Sequence, residues 1–295
     1  MKASLLLTSL LLASVLTGGF VFPAAGAQPP PDSGRPDPGK SAKVGFIGFD
    51  RNEYPGDANL KTLRQSFSYS GYWLNTPPGA KANSWTGKRR TLQDVGFGFL
   101  VLFNGRTYAE IKRAGDATKL GTADAAVAIA AARAEGFPSE TVIFLDQEQG
   151  GRLLPEQRAY LHAWVDAVSS ARFAAGVYCS GIAAKEGSGG SIITAQDIRH
   201  NAGKRKIKFW VVNDSCPPSP GCTVSRRDLL PESSGIAFSD VWQFAQSPKR
   251  ADFAKGCRGS YNKDGKCYAK DPAGRLYVDL DVATSSDPSH GRTGD

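Results

Sequence analysis

The chain has 295 residues, of which 36 are Lys or Arg and 28 are Asp or Glu, for a formal net charge of +8. Its basic runs, Gly87-Lys-Arg-Arg90 and Lys204-Arg-Lys-Ile-Lys208, lack the interleaved aromatics of a nucleic-acid surface, which argues against that class of partner. The three histidines, His162, His200 and His290, are too scattered for a catalytic triad or a metal site to be read from their spacing.

Lys2, an apolar run from Leu5 to Leu16 and a small-residue end at Ala25-Gly26-Ala27 fit a secretory signal peptide, residues 1–27, cleaved before Gln28. The apolar run is too short for a membrane span, so no stable membrane insertion is expected. Residues 28–41 are Pro-rich without an apolar period and read as an extended linker. Removing residues 1–27 leaves a charge of +7, which favours anionic partners outside the cell, such as cell-wall polymers or acidic glycans, or simply serves solubility.

From residue 42 to 283 strands alternate with helices, which predicts a parallel sheet with helical crossovers. Strand Lys43 to Asp50 is followed by a helix from Leu60 to Tyr69, strand Ser70 to Asn75, a weak helix from Thr86 to Val95 and strand Gly96 to Asn104. An alanine-rich helix runs from Thr122 to Glu135, with Thr122 as its cap and Gly136-Phe-Pro138 as its stop. Strand Thr141 to Glu148 leads to a helix opened by Pro155 and reaching Ser170, where Tyr160, Leu161, Trp164, Val165 and Val168 form one buried stripe and His162 lies off it. Strand Ala174 to Cys179, helix Ala195 to Ala202, and strands Lys206 to Asn213, Val241 to Gln246 and Arg275 to Val282 complete the pattern. The tail from Thr284 to Asp295 is polar and expected to be loose. Eight strands in this length predict an α/β protein built as one (β/α)8 TIM-like barrel; a doubly wound open sheet is the alternative, but no Gly-rich phosphate loop follows the first strand.

The stretch Thr141-Val-Ile-Phe-Leu-Asp-Gln-Glu148 is an apolar strand that runs into two carboxylates. Alternation puts Asp146 and Glu148 on one face and Gln147 on the other, with Cα atoms about 6.5–7 Å apart, close enough for each charge to disturb the other's protonation. One carboxyl kept neutral beside one kept ionised is the equipment for acid/base work on a glycosidic bond, while a strand end with two solvated acids is the plain alternative. Barrel chemistry gathers at the C-terminal strand ends, where Asp50, Asn104, Asp146, Glu148, Tyr178, Trp210, Asn213, Asp214, Gln243, Asp279 and Asp281 stand, with Trp242 beside Gln243. Aromatic rings for the apolar faces of sugars, with amides and carboxylates for their hydroxyls, point to a carbohydrate cleft. No serine-hydrolase elbow, His-Glu-x-x-His helix or phosphate loop appears, and no cofactor or metal is expected.

Among the five cysteines of an exported chain, Cys216 and Cys222 flank one turn-rich loop and Cys257 and Cys267 another, which predicts the local disulfides Cys216–Cys222 and Cys257–Cys267. A four-cysteine zinc site would usually show C-x2-C spacing, which neither pair has. Cys179, on an apolar strand, reads as a small buried hydrophobe.

Gly48-Phe-Asp-Arg-Asn52, Phe144-Leu-Asp-Gln-Glu148, Gly176-Val-Tyr178, Phe209-Trp210, Trp242-Gln-Phe244 and Val278-Asp-Leu-Asp281 together resemble the glycoside-hydrolase-like TIM-barrel domain long catalogued as a domain of unknown function, itself similar to the family 25 lysozymes. The resemblance implies hydrolysis of β-1,4 links in peptidoglycan with Glu148 as general acid. Asp146 would orient the substrate's acetamido group or stabilise positive charge at the anomeric carbon, and Asp50 with one of Asp279 or Asp281 would support the site. The run Asp50-Arg51-Asn52 departs from the lysozymes' usual continuation, and a barrel that keeps its acids can lose turnover. A catalytically inactive barrel that binds wall glycan is therefore the alternative to a hydrolase that is secreted, either free or associated with the cell wall. Nothing in the sequence sets an oligomeric state.

Overall fold

The computed structural model describes residues 45–187, 189–214, 229–246 and 278–293. Ten strands fall in this range: β1 Phe46–Asp50, β2 Tyr69–Trp73, β3 Gly98–Asn104, β4 Val142–Asp146, β5 Ala174–Ser180, β6 Ala183–Glu186, β7 Gly190–Ile193, β8 Lys208–Val212, β9 Val241–Ala245 and β10 Asp279–Ala283. The helices are α1 Asp57–Arg64, α2 Arg89–Val95, α3 Tyr108–Ala114, α4 Ala117–Ala134, α5 Pro155–Ser170 and α6 Thr194–Asn201. Eight strands close a barrel in the order β1-β10-β9-β8-β5-β4-β3-β2, and β6 with β7 forms a separate hairpin. The sequence reading missed that hairpin.

The apolar runs of β3 and β4 are buried along both faces, as strands must be when barrel interior lies on one side and helices on the other. On α5 the predicted stripe Tyr160, Leu161, Trp164, Val165 and Val168 is buried, and Pro155 opens the helix. The alanine-rich helix starts earlier than its composition suggests. Asp116, not Thr122, caps α4 by accepting from Lys119 N, while Thr122 Oγ1 donates to the carbonyl of Thr118 within the helix. The helix α3 escaped the sequence reading although Thr107 and Glu110 form a capping box at its start.

Two further expectations are corrected. The strand bearing Asp279 and Asp281 is antiparallel to both neighbours, β1 and β9, while the other seven run parallel to one another. Apolar alternation identifies a strand but not its direction. The acids of β10 therefore approach the rim from the strand's start: Asp279 pairs with Asp50, and Asp281 lies one pleat deeper opposite Gly48.

The tail is not loose through residue 293. Ser289 is fully buried and continues the sheet where β3 outruns β4: its N–H donates to Phe99 O, its hydroxyl accepts from Val101 N and its carbonyl accepts from Val142 N. Asp287 accepts from the backbone of Phe99, Gly291 and Arg292, and the buried Arg89 donates to Gly291 O while lying over the Phe137 and Phe99 rings. Polar residues looked like a solvated tail because their partners are backbone groups that sequence does not display. Asp287→Ala strands these amides and is expected to lower unfolding stability by about 1–3 kcal/mol, measured by urea denaturation; an unchanged midpoint would show the segment to be dispensable.

Candidate active site

At the rim, a cleft of about 430 Å3 is lined by Asp50, Arg51, Trp73, Asp146, Glu148, Tyr178, Trp210, Gln243 and Asp279, among others. The glycines of two sequence motifs make room beneath it. A Cβ on Gly48 would strike the Tyr69 ring and one on Gly176 the Phe144 ring, so large side chains can fill the barrel interior below the mouth. The rings of Tyr178 and Trp210 pack edgewise at 4.6 Å, and Phe144 meets Trp210 at 6.0 Å.

A buried polar network sits on this floor. Gln243, 2% exposed, donates from Nε2 to Asp50 Oδ2 at 2.7 Å and accepts at Oε1 from the Tyr178 hydroxyl at 2.9 Å. Trp210 Nε1 donates to Asp281 Oδ1 at 3.0 Å. Burial, then the charge of Asp50 and a hydrogen bond with it, hold Asp281 well above the usual carboxylate range. Two carboxyls that hydrogen-bond to each other hold a proton between them, and the proton belongs to the pair.

Asp146 closes β4 and is 5% exposed. Burial first, then the charges of Glu148 and Asp50, hold its pKa well above that of a free carboxylate, which favours its neutral form. Its Oδ1 makes no hydrogen bond to the described residues, a costly state for a buried oxygen. Glu148 lies beyond the strand and is exposed. Burial thus favours a proton on the inner Asp146. Gln147 points the other way, as alternation requires, and is buried with its Nε2 donating to Gln149 O.

Of the other expected site residues, Tyr178, Trp210, Gln243 and Asp279 line the cleft, and Asp281 lies beneath it against Trp210. Asn213, Asp214 and Trp242 are not among its walls. Trp242 alternates with Gln243 and packs against Phe244, and its Nε1 donates to the carbonyl of Asn213, whose own side chain donates to Ser234 O. Trp242 and Asn213 thereby brace the β8 and β9 ends. The sequence reading passed over Arg51, Asn52, Trp73 and Pro78, which join the β1 and β2 loops through Trp73 Nε1 to Arg51 O and Asn52 Nδ2 to Pro78 O. Their only signal was an Asn and a Trp next to strand ends.

Among the described residues no group of three His, Cys, Asp or Glu side chains could hold a metal ion, and no helix is long and apolar enough to cross a membrane. Cys179 is buried with a free thiol whose pKa burial pushes up, opposite to what a nucleophile needs. Cys216, Cys222, Cys257 and Cys267, like residues 1–41, lie outside the described residues.

The geometry is that of a closed α/β barrel with carboxyls gathered at its mouth. Residues 70–216 match the sequence profile of the Rv2525c-like, glycoside hydrolase-like domain family. It has no significant sequence match among curated proteins. Similar solved structures include an uncharacterized B. stearothermophilus protein, 17% identical over 81% of this chain and 96% of that one, with a TM-score of 0.48. The Tat-secreted protein Rv2525c of Mycobacterium tuberculosis is 14% identical over 83% and 98% of the two chains, with a TM-score of 0.49. The spore cortex lytic enzyme SleM of Clostridium perfringens is 14% identical over 83% and 69%, also with a TM-score of 0.49.

The raised Asp146 pKa has a consequence for stability. Between the unfolded carboxylate range near pH 4 and the higher folded value, the folded chain binds a proton that the unfolded chain has released, so stability falls as pH rises. Each such carboxyl contributes a slope of up to about 1.4 kcal/mol per pH unit over that interval. Asp146→Asn copies the neutral form and is expected to gain on the wild type in urea unfolding as pH increases from about 4 to 8. Parallel curves would mean that Asp146 is ionised in the folded protein.

Proposed function

We propose that the protein is a secreted glycoside hydrolase acting on peptidoglycan or a related N-acetylated β-1,4 glycan. The observation that carries this reading is the pairing, in one aromatic-walled cleft, of an exposed Glu148 with a buried, proton-holding Asp146. The match to a glycoside hydrolase-like domain supports it, and the leader-like residues 1–27 support export.

The two carboxyls act as a unit that holds one proton. In the free protein the proton rests on Asp146, because burial makes an ionised carboxylate costly there. With a glycan seated over the pair, the proton serves from Glu148. Asp146, now ionised, accepts the substrate's acetamido N–H at the Oδ1 that has no partner in the free protein, and stabilises positive charge at the anomeric carbon. Glu148 gives its proton to the glycosidic oxygen as the C1–O bond breaks. Water then bonds to C1 and returns a proton to Glu148. Asp50, fixed by Gln243, supplies the standing negative charge that keeps Asp146 poised.

The test is reducing-end release from purified peptidoglycan and from chitin-type oligomers, by protein beginning at Gln28, with wild type beside Glu148→Gln. Loss of a general acid costs about 10²–10⁴-fold in rate, so the variant should be inactive on the assay's scale while still binding glycan. Equal turnover in both proteins overturns the assignment of Glu148. No turnover in either, with binding to insoluble wall retained, identifies a hydrolase-like barrel that binds glycan without cutting it.

A further inference from the structure

A second cavity, of about 570 Å3, shares Pro78, Gly79, Asp146 and Glu148 with the first and extends from them over β3, α3 and α4. The two carboxyls therefore stand at a junction, with an aromatic arm towards Trp73, Tyr178 and Trp210 and a polar arm towards Asn75, Asn104 and Arg106. We propose that the polar arm is a binding subsite for the sugars on the far side of the bond to be cut, so that the cleft holds a glycan by the middle of its chain. The proposal rests on the glycan reading above.

The polar arm is rigid. Asn75 Nδ2 donates to Asn104 O at 3.0 Å, Asn75 Oδ1 accepts from Asn104 N at 2.7 Å, and Asn104 Nδ2 donates to Thr76 O at 2.9 Å, so the ends of β2 and β3 are tied together. Arg106 donates twice to Asp124, at 2.8 and 2.7 Å, and Asp124 also accepts from the buried Tyr160 hydroxyl at 2.8 Å. The guanidinium is thereby fixed in place with 40% of its side chain still exposed, leaving three of its N–H groups to other acceptors.

The chemistry of the walls selects the ligand. The Arg106 charge is balanced by Asp124, and the other charged walls of the arm are the carboxyls of Glu110 and Glu148, so nothing in it attracts an anion. What remains are fixed donors and acceptors beside the apolar Phe103 and Val127, which suits hydroxyl- and acetamido-bearing rings. Val127 is 54% exposed, one of four large apolar side chains so exposed among the described residues, and it lies one helical turn from Asp124 on α4. Binding a sugar would cover it.

The experiment uses Glu148→Gln protein, which binds without cutting, and β-1,4-linked N-acetylglucosamine oligomers of two to six units in titration calorimetry. Affinity is expected to rise at least tenfold from the dimer to the longest oligomers. Adding Val127→Trp, a substitution at an exposed helix position that fills the arm, should abolish that gain and leave dimer affinity as it was; Arg106→Lys, which keeps the charge but loses the planar fork, should reduce it. Dimer binding with no gain on lengthening, or a gain that Val127→Trp leaves intact, overturns the subsite and spares the glycan reading. Failure of every oligomer and of peptidoglycan fragments to bind overturns both.

Discussion

Three carboxyls, those of Asp50, Asp146 and Asp281, occupy a barrel mouth too dry to hold three charges. Desolvation favours the neutral forms of Asp146 and Asp281, and the charge of Asp50 adds to it. The surrounding polar groups settle where charge is tolerated. Gln243 aims an N–H at Asp50, Trp210 aims one at Asp281, and Tyr178 keeps its own proton on the Gln243 carbonyl. No such donor reaches Asp146 Oδ1 from the described residues. The result is a buried carboxyl, Asp146, whose neutral form is favoured without a donor at Oδ1, standing beside the exposed Glu148.

The fold delivers this arrangement by bringing acids from opposite chain directions to one rim. Because β10 runs against β1, Asp279 and Asp281 descend from the rim while Asp50 rises to it. The loop after β4, which carries Glu148, is held on both flanks. Gln149 Oε1 accepts from Tyr108 N and Gln157 Nε2, while Gly151 N donates to Thr194 and Leu153 N to the buried Asp197. A carboxylate on a loop gains catalytic value only if the loop has few alternatives, and these contacts to α3, α5 and α6 remove them.

Much of this was legible in the sequence, for identifiable reasons. The barrel could be read because its strands are apolar on both faces and their ends are marked by acids and amides, and because Pro155 and the Tyr160 to Val168 stripe announce α5 without ambiguity. Asp146 and Glu148 could be paired from alternation alone. Which of the two is buried could not, because this depends on where the strand stops: at its last residue for Asp146, two residues beyond it for Glu148. Trp242 was expected in the cleft as part of the Trp242-Gln-Phe244 motif, yet neighbours on a strand face opposite sides and Trp242 packs against Phe244. The direction of β10, the docking of Ser289 and the Arg106–Asp124 pair depend on partners distant along the chain. Composition carries no trace of them.

The central claim is that the cleft adds water across a glycosidic bond. The most direct measurement is mass spectrometry of the fragments released from peptidoglycan in water enriched in oxygen-18. The account predicts new reducing ends that each carry one heavy oxygen. Fragments ending in unlabelled anhydro sugars, or no fragments from a protein that binds the wall, would contradict it.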